Sequence, residues 1–214
     1  MKVMLILMMV LPACLASVAC IEKEVDHTLY LDPDGAVTWV VLERDIRSTS
    51  KDPLERAKEE QEVLDLWARN EHPMATALGG LHPLSLDCRL VRAERPFMIV
   101  TSARFPQVDD ALEGLYEEMG IRNEATLERS ADKTRMEWKL WTGEIDDEEV
   151  DVFEAALTEE LRFVMTGGRF LEAEGFEISS DGSRAVIVFD EEAGEDENEI
   201  LTLSLTWTAH EETD

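Results

Sequence analysis

The chain has 214 residues, of which 20 are Lys or Arg and 48 are Asp or Glu, so its formal net charge is −28 at pH 7. So acidic a surface argues against nucleic acid as a partner and against docking on anionic lipid through a basic face, because both require clustered cations. Three cysteines are too few for a disulfide framework, and the length suits one domain, or two small ones at most, with a real core.

The first twenty residues have the pattern of an export signal. Lys2 is the only charged residue before Glu22, an apolar run covers residues 3–11, and small residues follow it. A basic start, a short apolar stretch and a small-residue end are typical of a secretory signal. The apolar run is too short for a transmembrane helix.

Residues 16–20, with the sequence Ala-Ser-Val-Ala-Cys, resemble the lipobox of bacterial lipoproteins. The resemblance implies lipidation of Cys20, with a diacylglyceryl group on its sulfur and an acyl chain on its nitrogen. More than one chain gives stable membrane anchoring. Cys14 is the rival lipidation site, and an ordinary cleaved signal that releases the protein is the alternative.

This interpretation divides the chain into four parts. They are a signal peptide (1–19), a lipidated tether (20–26), a single folded domain (27–209) and a polar tail (210–214). Ile21 rather than Asp follows the cysteine. By the sorting rules of enteric lipoproteins this implies a lipid-anchored envelope protein, on the outer membrane and facing the periplasm if the cell is diderm.

Hairpins alternate with helices along the rest of the chain. Strands are predicted over residues 27–31, 36–42, 84–91, 97–105, 125–129, 134–141, 162–166, 170–173, 176–179, 185–189 and 200–208. The first hairpin turns at Asp-Pro-Asp-Gly, residues 32–35, where proline and glycine preset the required angles.

Three helices are predicted, beginning at Asp52, near Val108 and near Asp146. Asp52 suits the N-cap, with Pro53 in the first turn, and Glu55 is predicted to complete the capping box. Residues 74–78 predict a short apolar turn. The inward helix positions are predicted to be Leu54, Leu64, Trp67, Leu112, Leu115, Phe153 and Leu157. The fold class is therefore α+β, an antiparallel sheet of hairpins alternating with three helices packed on one face and ending in a C-terminal β-meander.

Two stretches of the chain, residues 29–35 and 163–186, resemble the opening and closing strands of LppM-type bacterial lipoproteins. The resemblance implies an exported, non-enzymatic domain with a groove for an apolar ligand. No ligand residue is carried over.

No motif in the sequence predicts catalytic, cofactor-binding or metal-binding residues. His72, His82, Asp87 and Cys88 lack the tight pairs of a zinc site. The acidic run 190–199 does not match a calcium loop and is interpreted as a solvated hairpin loop. Cys88 is predicted to be a buried, inert thiol, since it has no partner for a disulfide. No cofactor is predicted.

Strand alternation predicts which face of the sheet the helices cover. The residues expected to meet the helices are Leu29, Leu31, Val37, Trp39, Val186, Val188, Leu203 and Leu205. The opposite face would carry Tyr30, Val40, Ile187 and Phe189, which is too apolar for full solvation and predicts an apolar groove. Trp138 and Trp141 have opposite parity and are predicted to face opposite sides.

Two functions remain open from the sequence. The first is a lipid-anchored, non-enzymatic envelope domain that binds another envelope protein or an apolar ligand, with no nucleic acid partner. The alternative is a carboxylate-dependent hydrolase acting on cell-envelope polymers, which needs two converging carboxylates in a cleft.

Overall fold

The computed structural model describes residues 21–118, 122–141, 161–188 and 200–209. In chain order the elements are β1 (Ile21–Leu31), β2 (Val37–Ser48), α1 (Pro53–Ala68), α2 (Pro73–Gly80), β3 (Ser85–Arg92), β4 (Phe97–Phe105), α3 (Val108–Glu118), β5 (Asn123–Arg129), β6 (Thr134–Trp141), β7 (Leu161–Met165), β8 (Gly168–Glu174), β9 (Phe176–Ile178), β10 (Arg184–Ile187) and β11 (Ile200–Ala209).

The strands form two sheets. A seven-stranded sheet has the order β3-β4-β2-β1-β7-β10-β9, and a four-stranded sheet has the order β5-β6-β11-β8. The chain divides into two compact units. The first unit is Met1–His27 with Val40–Ala103, and the second is Thr28–Trp39 with Arg104–Asp214. The predicted span 27–209 therefore contains parts of both units.

The predicted fold class, one sheet with three helices on one face, is wrong. Strands dominate the described residues and belong to two sheets. Helix α1 packs in the first unit against β2 and β4, whereas α3 lies in the second unit against β5 of the four-stranded sheet. Helix α2 forms where only an apolar turn was predicted, and the predicted helix from Asp146 lies outside the described residues. The predicted C-terminal run of strands is confirmed.

The chain changes from one sheet to the other next to Gly168. Strand β7 pairs with β10, but β8, two residues further on, pairs with β11 in the other sheet. A Cβ on Gly168 would lie 2.0 Å from the carbonyl oxygen of Thr208, so only glycine allows this approach. Hydrophobic alternation reports the inward face of a strand but not its partner, so it did not reveal that the chain changes sheet here.

The predicted hairpin turn between β1 and β2 is confirmed. The N–H of Gly35 donates to the carbonyl of Asp32 at 2.9 Å, and the N–H of Asp32 donates to the carbonyl of Ala36 at 2.8 Å. Gly35 has φ +87°, a left-handed conformation that favours glycine. The turn residues of the sequence therefore fixed where this hairpin reverses.

Each unit has its own apolar core. In the first unit Val63 of α1 packs with Ile46 of β2 and with Phe97 and Ile99 of β4. In the second unit, Leu203 and Leu205 of β11 are fully buried, as predicted. Leu203 lies opposite Trp138 of β6, whose ring contacts that of Tyr116 edge-on, with centroids 4.7 Å apart.

The predicted inward face of β10 is wrong. Val186 is 43% exposed and Val188 51%, whereas Ile187 is buried. The register explains the reversal, because Val186 lies opposite Arg162 of β7, while Ala185 lies opposite the buried Phe163. Residues 185–188 are apolar at every position, so alternation alone could not fix which parity faces inward.

The start of α1 is confirmed, but its predicted buried face is partly wrong. The Asp52 carboxylate accepts a hydrogen bond from the N–H of Leu54 at 2.8 Å, as an N-cap should. Glu55 accepts a hydrogen bond from the hydroxyl of Ser50, instead of completing a capping box. Leu54, predicted to be inward, is 83% exposed, and the buried positions include Glu59 and Glu60.

Candidate functional site

The most unusual group of side chains in the described structure is a buried Lys–Glu–His cluster in the first unit. We define it as Lys23 of β1, Glu43 of β2 and His72, which precedes α2. Adjacent strands β1 and β2 bring Lys23 and Glu43 together, and the Lys23 ammonium donates to Oε1 of Glu43. Glu43 is 1% exposed, while the Lys23 side chain is 37% exposed. A buried carboxylate therefore takes its countercharge from a lysine that reaches in from the surface.

His72 completes the cluster because of the way α2 begins. It occupies the N-cap position, has extended backbone angles and is followed by Pro73 in the first turn. Its side chain makes no capping hydrogen bond, and Nε2 lies 3.4 Å from Oε2 of Glu43. Among the described residues, Nδ1 of His72 and Oε2 of Glu43 have no hydrogen-bond partner. The imidazole is therefore sequestered with a carboxylate but incompletely satisfied.

Burial controls the protonation of the two histidines near Glu43. Loss of solvation lowers the pKa of His72, and the nearby Glu43 carboxylate only partly opposes this. Burial lowers the pKa of His27 in the same way, with Glu43 and Asp26 opposing it. Burial therefore favours the neutral form of both histidines.

A carboxylate beside an imidazole is chemically able to orient a general base. A general base must also come within hydrogen-bond reach of its substrate. The side chains of His72 and Glu43 are 5% and 1% exposed, so both are almost entirely shielded from solvent. This geometry favours a proton-sensitive structural cluster over an open catalytic site.

Two further buried carboxylates, Glu59 and Glu60, are already engaged. The hydroxyl of Ser48 donates to Glu59, and the N–H of Ser48 donates to Glu60 at 3.1 Å. Nε of Arg95 donates to Glu60 at 2.8 Å. These carboxylates tie α1 to the end of β2 and to the β3–β4 turn, so their hydrogen bonds hold the fold together, whereas the hydrolase alternative requires two carboxylates converging in a cleft.

Cys88 is a free, half-buried thiol on β3. The hydroxyl of Thr101 lies 3.4 Å from its sulfur, and burial raises the pKa of the thiol. A raised pKa disfavours the reactive thiolate. No group of three or more His, Cys, Asp or Glu that could hold a metal occurs within the described ranges.

The tryptophans mostly have structural roles. Trp39, Trp138 and Trp207 are buried, and Trp67 donates from Nε1 to the carbonyl of Cys88 at 3.3 Å. Trp141 is half-buried on the face opposite Trp138, as predicted, and the Arg122 guanidinium lies 4.4 Å from its ring centroid. A cation already stacks on the one aromatic side chain of β6 that faces away from the core.

The residues predicted to form the apolar face differ in how far they are exposed. Tyr30 is 39% exposed and Val40 is half-buried, but Ile187 is buried. Phe189 lies outside the described residues, as do Cys14, Cys20, the acidic run 190–199 and the tail. The apolar groove and the lipidation of Cys20 stay predictions. Across the described part of the chain, every helix is too short or too polar to span a bilayer.

The sequence analysis missed the Lys–Glu–His cluster, although the hairpin contains a signal for it. Continuing the pairing from the bond between Asp32 and Ala36 sets Glu43 opposite Val25. Lys23 and His27 then become diagonal neighbours of Glu43 on the same face of the two strands. A glutamate on the inward parity of a strand, with a lysine at a diagonal position, was therefore a readable pattern.

Comparison with known proteins does not identify a family for this chain. No family model matches the chain, and no curated protein matches its sequence. The NMR structure of the folded domain of LppM from Mycobacterium tuberculosis is similar, with a TM-score of 0.40 and 9% identity, over 89% of this chain and 91% of that one. The Mu homology domain of Fcho1 from Danio rerio, solved with a bound Eps15 peptide, gives a TM-score of 0.21 and 8% identity, over 91% and 82% of the two chains. Neither similarity assigns a function to this protein.

Proposed function

We propose that this protein is an exported lipoprotein whose folded part is a non-enzymatic binding or interaction domain of the cell envelope, anchored through lipid on Cys20. One observation carries the proposal. Strand β1 begins at Ile21, the residue that follows the lipobox cysteine, and not at His27. The described strand thus reaches the residue that follows the cleavage and lipidation site that residues 16–20 indicate.

The extent of β1 limits how far into the chain the signal can be cleaved. Cleavage before Cys20 or before Cys14 leaves residues 21–31 whole, whereas cleavage a few residues after Cys20 would remove part of a strand that pairs with both β2 and β7. Residues 21–26, taken from sequence as a tether, are part of this strand. The proposed lipid is therefore attached directly to the sheet, with no flexible spacer between them.

Metabolic labelling with an alkyne fatty acid tests the anchor. The wild type should incorporate label and partition into the detergent phase, and Cys20→Ser should lose both properties. Cys14→Ser is the matched control and should behave like the wild type. If Cys14→Ser loses the label and Cys20→Ser keeps it, the assignment of the cysteine is wrong. If the wild type takes up no label, the lipoprotein proposal fails.

The binding role is supported by the buried carboxylates described above, because Glu43, Glu59 and Glu60 each contact other residues of the fold. An apolar ligand or another envelope protein is the proposed partner. Residues 21–214 should bind a fluorescent fatty acid, and replacing Tyr30, 39% exposed, by Lys should weaken binding. If binding is saturable but Tyr30→Lys leaves it unchanged, the sheet face that carries Tyr30 is not the binding site. If no fatty acid binds, another envelope protein remains as the proposed partner.

The hydrolase alternative has one specific observation in its favour, the pairing of Glu43 with His72. Release of dye from labelled peptidoglycan would test it. Turnover that Glu43→Gln abolishes, with no change in melting temperature, would favour the enzyme over the binding domain.

A further inference from the structure

The end of the first unit that lies next to Cys20 collects several chain segments. We call it the anchor-proximal end and define it by Ile21 and Glu22, residues 47–55 and residues 91–95. Arg47 pairs with Glu22 across β1 and β2, with Nη2 and Oε2 3.1 Å apart. Arg95 of the β3–β4 turn pairs with Glu60 of α1, which also accepts from the N–H of Ser48. These contacts hold the start of β1, the end of β2 and the β3–β4 turn together.

Helix α1 runs away from this end. Glu60 lies beside Ser48 and Arg95, Val63 belongs to the core with Ile46 and Phe97, and Trp67 reaches Cys88 in the middle of β3. The helix therefore advances along the sheet as its numbering rises. Leu54 precedes Glu60 by six residues, or about 9 Å of helix at 1.5 Å per residue, and so stands at the tip of this end.

Two large apolar side chains are exposed at the anchor-proximal end. Leu54 is 83% exposed, and Val91, the penultimate residue of β3, is 58% exposed. Single exposed apolar residues are ordinary on a protein surface. These two, however, lie at the end of the unit to which the proposed lipid is attached.

The charge of this end also differs from that of the chain. Its exposed cations equal its exposed acids in number, with Arg47, Lys51, Arg92 and Arg95 against Glu22, Asp52, Glu55 and Glu94. Residues 21–27 and 40–103 together have ten Lys or Arg and fourteen Asp or Glu. Residues 28–39 and 104–214 have nine and thirty-four, so most of the net charge of −28 lies in the second unit. The anchor-proximal end is thus among the parts of the surface that an anionic bilayer repels least.

We propose that the anchor-proximal end is a membrane-contacting surface, which rests on the phospholipid bilayer holding the Cys20 lipid and inserts Leu54 and Val91 at the level of the headgroups. This inference rests on the proposed lipoprotein function. A lipid attached directly before β1 keeps this end at the membrane, and two exposed apolar side chains gain burial there. The strands then stand away from the bilayer, and the chain is oriented rather than freely tumbling on its anchor.

Depth-dependent fluorescence quenching tests the orientation in the full, lipidated protein. Bimane is attached to Leu54→Cys, Val91→Cys or Leu84→Cys in a Cys88→Ala background, and each protein is reconstituted into phosphatidylethanolamine–phosphatidylglycerol vesicles that contain brominated lipid. Leu84, 68% exposed, is the matched control, because it lies just before the other end of β3. Seven residues of strand separate it from Val91, about 23 Å at 3.3 Å per residue. Quenching at Leu54 and Val91 should exceed that at Leu84 at least threefold.

The possible outcomes separate the two proposals. A protein that carries its acyl chains and binds the vesicles, but shows equal quenching at all three positions or stronger quenching at Leu84, overturns the membrane-contacting surface and leaves the lipoprotein intact. A protein without acyl mass that stays unbound overturns both. Hydrogen exchange on the unsubstituted protein gives a second measurement. Amides 47–58 and 90–96 should slow on vesicles relative to Cys20→Ser protein, while amides 81–86 should not, and uniform exchange would contradict the orientation.

Discussion

The Lys23–Glu43 pair gives a sharp test of how the first unit is held together. Lys23→Met removes the ammonium and leaves a carboxylate that is 1% exposed without its countercharge. Breaking a buried ion pair from one side costs about 3–5 kcal/mol. Since Lys23 is itself 37% exposed, we expect the lower limit, about 3 kcal/mol of unfolding free energy.

The partner substitution should cost less, and the costs should not add. Glu43→Gln keeps a hydrogen-bonding side chain of the same shape and lets Lys23 turn into water, so we expect about 1 kcal/mol. The double variant should cost about 1–2 kcal/mol rather than 4, because removing both charges leaves no buried ion uncompensated. Urea denaturation followed by tryptophan fluorescence measures all three.

A surface pair on the same hairpin provides the control. Arg44 pairs with Glu24 at 2.8 Å, where both side chains are well exposed, and also lies 3.3 Å from the carboxylate of Asp26. Arg44→Met should therefore cost under about 1 kcal/mol. If Lys23→Met costs no more than Arg44→Met, or if the two cluster substitutions are additive, the cluster is not the buried ion pair described here.

Three further predictions concern pH, the change of sheet and an unsatisfied hydroxyl. Burial lowers the folded-state pKa of His72 below its unfolded value of 6.5, so the unfolded chain binds more protons, and the stability contribution, complete above pH 6.5, should be lost as the pH falls below it. His72→Gln should reduce the drop in urea midpoint between pH 7.5 and 5.5, with His27, whose pKa burial also lowers, accounting for the remainder, while the exposed His82→Asn should leave the drop unchanged. Gly168→Ala should cost about 1–3 kcal/mol or more from overpacking against Thr208, whereas Gly167→Ala, whose Cβ would have 3.5 Å to its nearest neighbour, should be nearly neutral in thermal melting. Tyr116→Phe removes a buried hydroxyl that has no partner among the described residues, so it should be neutral or stabilise the protein by up to about 1 kcal/mol. A decrease in unfolding free energy of more than that amount would reveal an undetected partner.

Local features of the fold were predictable from sequence because they depend on neighbouring residues. The turn at residues 32–35 and the N-cap at Asp52 each need only a short stretch of chain with a specific residue type. The hairpin of β5 and β6 was predicted from alternation and is present, with Arg129 opposite Thr134. Such elements involve no choice of distant partner.

The arrangement of the strands was not predictable in the same way. Strand β8 joins the second sheet, where Gly168 comes close to Thr208, forty residues away. The inward parity of β10 was set by its pairing with β7, because its own residues are apolar on both faces. Hydrophobic pattern fixes an element's type, whereas pairing fixes its place.

The buried face of α1 was predicted wrongly for a different reason. Pattern reasoning treats glutamate as a solvent residue, and it therefore assigned Leu54 inward and Glu60 outward. The structure reverses the two, because Arg95 and the N–H of Ser48 satisfy the Glu60 carboxylate. A charged residue can be buried when specific partners await it, and those partners come from other elements.

The same partners link the candidate site to the charge distribution. The first unit buries Glu43, Glu59 and Glu60, and two of these carboxylates are neutralised by cations, Lys23 and Arg95. A chain with 20 cations for 48 acids has few such residues to spare, yet ten of them lie in residues 21–27 and 40–103. Placing them there stabilises the buried carboxylates and leaves these residues with ten cations against fourteen acids, a much smaller net charge than that of the second unit. Repulsion between like charges is then concentrated in the second unit. Added salt should stabilise that unit more than it affects the Lys–Glu–His cluster, because buried charges are screened least.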